Sequence, residues 1–420
     1  MVRLTHSLTH NTAILLANNI SGALLAFIIT AVIGRGLGVE GLGQYSFVVA
    51  CVAPLAAVAD FGMGSLITRD VAQNQAMAWP FLRATRRVLL PIASLLLIAT
   101  WLATPLLHIA PVAAGGLALV ALLIVLDPWY GLYTALFRAF QRMTPIFVVN
   151  VGGLALQLIL SVIAVAGGAG LIGVATVLVL INVVQLLATW IWWRRYHPAA
   201  SPGSALLPSR DILRRALPFA IAGILSVLQS RLSFLLLWHL AGDGPVGLYS
   251  AASRFVEAGR LVPAAFFGAL FPALASLAEH PIAMRRTFIR ASGAVTGFAV
   301  AFGLAMTLVG GLLIRLVYGP ERASFGGAVP VLTVLAWSLI PALLRSVLVL
   351  YHYSLGRERF VNTVILLVLI GQLLVGWLLI GRWGAVGAAL TAAIVETGGM
   401  VCLSLGLRSR AHLPRLVCDR

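Results

Sequence analysis

The chain has 420 residues, of which 61% are hydrophobic and 10% charged, with a mean hydropathy of +1.02. So little charge cannot cover the surface of a soluble protein of this length, which excludes a soluble globular domain and points to a polytopic membrane protein. The formal net charge of +17 could mark a nucleic-acid binder, but its distribution along the loops assigns it to membrane topology and excludes a nucleic-acid partner.

Twelve apolar spans are predicted in chain order. The first six cover about 13–33, 43–64, 88–108, 112–136, 146–166 and 171–193. The second six cover about 216–241, 246–274, 291–314, 328–352, 361–380 and 383–407. Between them, 194–215 is basic and rich in Pro and Ser, as a linker should be. The expected fold is therefore all-α: about twelve transmembrane helices in two six-helix lobes, 1–193 and 216–407, with a cytoplasmic linker at 194–215 and a cytoplasmic tail at 408–420. The first apolar run is too long for a signal peptide core and leads straight into further spans.

All 29 basic residues are arginine. The N-terminus, the loops after even-numbered spans and the tail hold 21 of them; the loops after odd-numbered spans hold four, Arg35, Arg315, Arg322 and Arg382. The positive-inside rule then places both termini in the cytoplasm, and an even span count fits the asymmetry. Cys51, Cys402 and Cys418 are an odd number, with two in apolar spans, so neither a disulfide framework nor a metal site is expected.

A weak internal repeat relates the halves. Gly43-Gln44-Tyr45-Ser46 at the start of span 2 echoes Gly247-Leu248-Tyr249-Ser250 at the start of span 8. Gly170 and Gly173, opening span 6, echo Gly384 and Gly387 at span 12, with Asn182 opposite Glu396. Both matches pair span n with span n+6, as in parallel repeats with a substrate site between the halves.

No enzyme motif is present. The chain lacks any P-loop lysine, its eight histidines have no metal-ligand spacing, and Asn19-Ile20-Ser21 fits a glycosylation pattern only by chance, inside span 1. The chemistry sits in ionisable residues within spans, which are costly in a bilayer and need partners or a water-filled cavity. These are Asp60, Asp127, Arg231, His239, Arg254, Glu257, Arg260, Arg345, His352 and Glu396, with Arg35 ending span 1. Asp60, Asp127, His239 and His352 lie near span ends and are open to an interfacial reading. Arg254, Glu257 and Arg260 fall at successive i+3 steps on one helix side, where Glu257 can neutralise an arginine. Arginines still outnumber acids, and a guanidinium stays charged and fits phosphate bidentately. A cationic cavity therefore points to an anionic substrate, with phosphate or diphosphate the best match. Pro54, Pro263, Pro272 and Pro341 are expected to bend spans 2, 8 and 10.

The run Gly34-Arg35-Gly36-Leu37-Gly38-Val39-Glu40-Gly41-Leu42-Gly43-Gln44-Tyr45-Ser46 belongs to a recognisable set. With it go ADFGMGSLITRDVA from Ala59, VGLYSAASRFVEAGRLVPAAFFGALFPALA from Val246, SLGRERF from Ser354 and GAVGAAL from Gly384. Each is degenerate alone; in this order, over nearly the whole chain, they resemble the Wzx-type oligosaccharide flippases. Those are polysaccharide biosynthesis proteins of the multidrug/oligosaccharidyl-lipid/polysaccharide (MOP) exporter superfamily.

The resemblance implies a two-lobe transporter that moves a polyprenyl-diphosphate-linked glycan from the cytoplasmic to the outer leaflet of a bacterial inner membrane. Polymerase and glycosyltransferase partners go with such a pathway. Arg35 and Arg254 lie within the matching motifs, and with Arg231, Arg260 and Arg345 they form the expected diphosphate set. Asp60, Glu257 and Glu396 are the candidates for coupling to H+ or Na+; no other cofactor is expected. Without the two further C-terminal spans of the fourteen-helix lipid II flippases, a peptidoglycan precursor is not the expected cargo. The alternatives are a drug/cation antiporter of the same superfamily, which the arginine excess disfavours, and a membrane polymerase or glycosyltransferase, for which the outer loops are short.

Overall fold

A computed structural model describes residues 2–107, 109–196, 208–277, 280–319 and 323–408. It is all-helical, as a chain in lipid must be when every backbone group has to bond within its own segment. The helices are α1 (Val2–Asp60), α2 (Met63–Gln73), α3 (Ala78–Ala103), α4 (Pro111–Val120), α5 (Leu123–Ala139), α6 (Thr144–Ala166) and α7 (Gly170–Tyr196). They continue with α8 (Ser209–Ala241), α9 (Asp243–Gly259), α10 (Leu261–Ser276), α11 (Pro281–Tyr318), α12 (Ala328–Tyr353) and α13 (Glu358–Arg408).

Ten stretches among the described residues are long and apolar enough to cross a membrane, where twelve separate spans were expected. The difference lies in α1 and α13. Each runs through its expected inter-span turn and is interrupted only at a glycine, Gly38 (φ 74°) in α1 and Gly384 (φ 51°) in α13. Positive φ is open to glycine at little cost, so a chain can change direction there within one residue and leave no loop. Large apolar side chains such as Leu95, Leu308 and Leu312 are exposed, as a surface that faces lipid requires.

Elsewhere the expected spans are broken. The stretch expected as span 4 turns at Ala121 and Leu122, between α4 and α5. The stretch expected as span 8 is split at Arg260, between α9 and α10. Proline explains the second break: Pro263 lacks an N–H, and its ring clashes with a helical carbonyl four residues back, at Gly259. Pro54, Pro272 and Pro341 lie inside α1, α10 and α12, which continue through them.

The chain forms two compact units, Met1–Trp238 with Gly242–Ser250, and His239–Ala241 with Ala251–Arg420. In the first, α1 packs against α4, α5 and α6, and α2 against α5. One cluster there joins Met63, Leu66, Phe81, Leu89, Phe137 and Trp193, and another Phe47, Val52, Leu117 and Ile124. In the second unit α12 is central, flanked by α10, α11 and α13.

Two features tie α8 and the start of α9 into the first unit. Helix α7 ends at Tyr196 and α8 starts at Ser209, so the expected linker 194–215 is helical at both ends; 197–207 lies outside the described residues, as does the tail from 409. The early start of α8 has a cause. Ile212 and Ala216 are buried, and Asp70, itself buried, accepts ion-paired hydrogen bonds from Arg69 (2.8 Å) and Arg215. Arg215 also lies over the Phe81 ring and Arg69 over Phe219.

At the start of α9 the two echoing motifs meet. A Cβ on Gly43 would overlap the carbonyl oxygen of Asp243, and one on Gly247 would overlap that of Val39. Ser46 Oγ donates to Ser250 Oγ at 2.7 Å. Asp243 accepts from Gln44 Nε2 (3.0 Å) and Trp238 Nε1 (2.9 Å). Glycine at 43 and 247 is what allows this backbone-to-backbone approach.

Candidate functional site

The second unit holds a cavity of about 190 Å³ lined by Arg260, Ala264, Phe267, Ala342, Leu343, Arg345, Ser346 and Glu396. Three helices build it. The α9–α10 break turns the chain at Arg260, whose backbone bonds Val256 and Ala264 and whose exposed side chain has no hydrogen-bonding or ionic partner among the described residues. Helix α12 contributes Arg345, and α13 contributes Glu396. Arg345 meets Glu396 with two donors, Nε to Oε2 and Nη2 to Oε1 (3.2 Å). Both side chains are largely buried, at 17% and 16% exposure. Gly399, one turn along α13, makes room for this pair: a Cβ there would press on Arg345 Cδ. The aliphatic stem of Arg345 therefore crosses α13 at a glycine, and its guanidinium is held by a carboxylate. Two arginines against one glutamate leave the cavity with an excess of one positive charge.

Arg254 and Glu257 form an i,i+3 pair on α9 at 2.9 Å, with the glutamate half exposed. Local neutralisation thus accounts for Glu257, and neither residue lines the Arg260 cavity.

A second cavity, of about 470 Å³, lies in the first unit. It is lined by Asp60, Asp127, Arg138 and Arg231 among small and hydroxylated residues such as Gly64, Ser65, Gly131, Thr134 and Ser230. Asp60 ends α1, and its carboxylate accepts from the backbone N–H groups of Gly62 and Gly64. It thereby satisfies donors that the first turn of α2 would leave unpaired. Arg231 thus shares its cavity with two acids and is not among the residues that line the Arg260 pocket. Arg35 is exposed in α1, three residues before the Gly38 interruption, and lines neither cavity.

The two histidines separate. His239 is exposed beside Trp377, with ring centroids 6.0 Å apart. His352 is wholly buried in the last turn of α12: Nε2 lies 3.1 Å from the Leu403 carbonyl, with Phe360 and Tyr351 against the ring. Cys51 and Cys402 are free thiols. Sequence reasoning missed Arg138, the Asp70 pair of arginines, and the role of Gly399. For Gly399 the one available signal is its i+3 spacing from Glu396.

With ten long apolar helical stretches among its described residues and polar cavities cut into each unit, the chain has the fold of the MOP transporters. An inward-facing multidrug resistance MATE family transporter of that superfamily superposes with a TM-score of 0.76 at 16% identity, over 93% of this chain and 94% of the other. The lipid II flippase MurJ in an inward closed conformation gives 0.76 at 12% identity, over 95% and 87%. A MOP superfamily transporter from Pyrococcus furiosus gives 0.66 at 16%, over 95% of each chain. No curated protein matches in sequence. Residues 8–278 match the polysaccharide biosynthesis protein family, and the chain belongs to that family.

Proposed function

We propose that this protein is a flippase that moves a polyprenyl-diphosphate-linked oligosaccharide from the cytoplasmic to the outer leaflet of a bacterial inner membrane, by alternating access, during surface polysaccharide synthesis. The observation that carries this reading is the Arg260–Arg345 cavity with its excess of positive charge. In a bilayer such charge is costly unless water or a counter-anion reaches it, and guanidinium forks match phosphate oxygens. Membership of the polysaccharide biosynthesis family supports the glycolipid cargo. The first-unit cavity suits the glycan: its carboxylates and hydroxyls can accept from and donate to sugar hydroxyls, and its two acids and two arginines balance.

The same reading counts α1 and α13 as two crossings each, split at Gly38 and Gly384, which makes twelve. At about 1.5 Å per residue either helix far exceeds a hydrocarbon core of about 30 Å. The covalent lobes are then 1–193 and 216–407, with the linker 194–215 and both termini in the cytoplasm.

A drug/cation antiporter is the second reading, and Asp60 and Asp127 in one cavity are what favours it. The two readings are separated in cells lacking their own flippase. Restored surface polysaccharide with no gain in drug resistance supports the flippase. Drug resistance without restored polysaccharide supports the antiporter.

A further inference from the structure

We propose that Glu396 limits the affinity of the cavity for its anionic cargo, acting through Arg345, so that the cargo can leave. This rests on the diphosphate reading of the cavity and adds a role for its one acid.

The geometry supports the assignment at three points. Glu396 occupies two of the donors that Arg345 would otherwise turn toward a phosphate, and does so in the bidentate arrangement a phosphate would use. It lines the same cavity as Arg260, so its negative charge repels any anion bound there. Gly399, on the same helix, shapes the surface that the Arg345 stem crosses, so α13 supplies both the passage and the clasp.

A transporter has to bind strongly enough to load and weakly enough to unload. Two unopposed guanidiniums in a partly desolvated cavity would hold a diphosphate too tightly to release. Glu396 opposes this with one fixed charge. The cavity has room for about six waters at about 30 Å³ each, space for a phosphoryl group beside the existing pair.

The test is calorimetric binding of farnesyl diphosphate, with farnesol as control, to purified protein in detergent. Wild type, R260A and R345A establish the pocket. E396Q removes the charge, and E396D keeps a carboxylate that compensates Arg345 but withdraws it by one methylene. Affinity should rise at least tenfold in E396Q and a few-fold in E396D, while R345Q/E396Q binds no more tightly than wild type. A purely structural role for Glu396 would leave binding unchanged or weaken it.

If wild type binds through Arg260 and Arg345 but neither folded glutamate variant binds more tightly, this inference is overturned and the diphosphate reading stands. If R260A and R345A bind as wild type does, or wild type does not bind, both fall together.

Discussion

Arg260 is the residue on which the account turns. It sits at a helix break, exposed and without a carboxylate of its own, while Arg254 is paired with Glu257 and Arg345 with Glu396. A hydrogen bond to a charged group is worth about 1.5–3 kcal/mol, so R260A should lower export roughly tenfold to a hundredfold with membrane levels unchanged. Surface-polysaccharide staining against immunoblotted protein measures this. R254A should cost far less, because Arg254 lines neither cavity and its pair is partly exposed. The i,i+3 pairing of Arg254 was legible in the sequence, since helical spacing alone brings the groups together. The Arg345–Glu396 pair was not: 51 residues separate the partners, and only the packing of α12 on α13 joins them.

At the scale of elements, apolar patterning located the helices but not where they bend. Length and hydropathy report on burial in lipid, whereas a bend depends on one residue's backbone freedom or on one missing N–H. Gly38, Gly384 and Pro263 decide three of those points, and the four prolines expected to bend spans did not reveal which one would break a helix. P263A should join α9 to α10 through Arg260, moving the guanidinium; export should fall several-fold while the thermal stability of purified protein holds or rises. The contact of 39–46 with 243–250 gives a sharper test. A leucine at Gly43 or Gly247 would press on facing backbone and separate Ser46 from Ser250. Overpacking of this kind costs about 1–3 kcal/mol. G43L and G247L should lower the unfolding midpoint in detergent by several degrees. G152A, where a Cβ meets nothing within 4 Å, should leave it unchanged or raise it.

At the scale of the molecule, composition alone identified a polytopic helical membrane protein, because 10% charged residues admit no other compact solution at this length. The family was legible too, in short motifs whose order matters more than any one of them, and residues 8–278 carry it. What the sequence could not assign was which arginines share a cavity. Five candidates separate into one pocket with Arg260 and Arg345, one with Arg231 among acids, and Arg35 and Arg254 outside both. The arginine asymmetry is the basis of the proposed orientation, which predicts that a fluorescent protein fused after Leu407 is bright and an alkaline phosphatase fused there inactive; the reverse pattern would overturn it.

The central claim is transport of a lipid-linked anion, and reconstitution tests it most directly. Purified protein in liposomes would be supplied with a polyprenyl-diphosphate oligosaccharide, and the fraction of glycan open to an external glycosidase followed over time. The account predicts that wild type opens the inner-leaflet pool to the enzyme, and that R260A and protein-free vesicles leave it protected. An inner-leaflet pool that stays protected with folded wild-type protein, or that is opened equally by R260A, would contradict it.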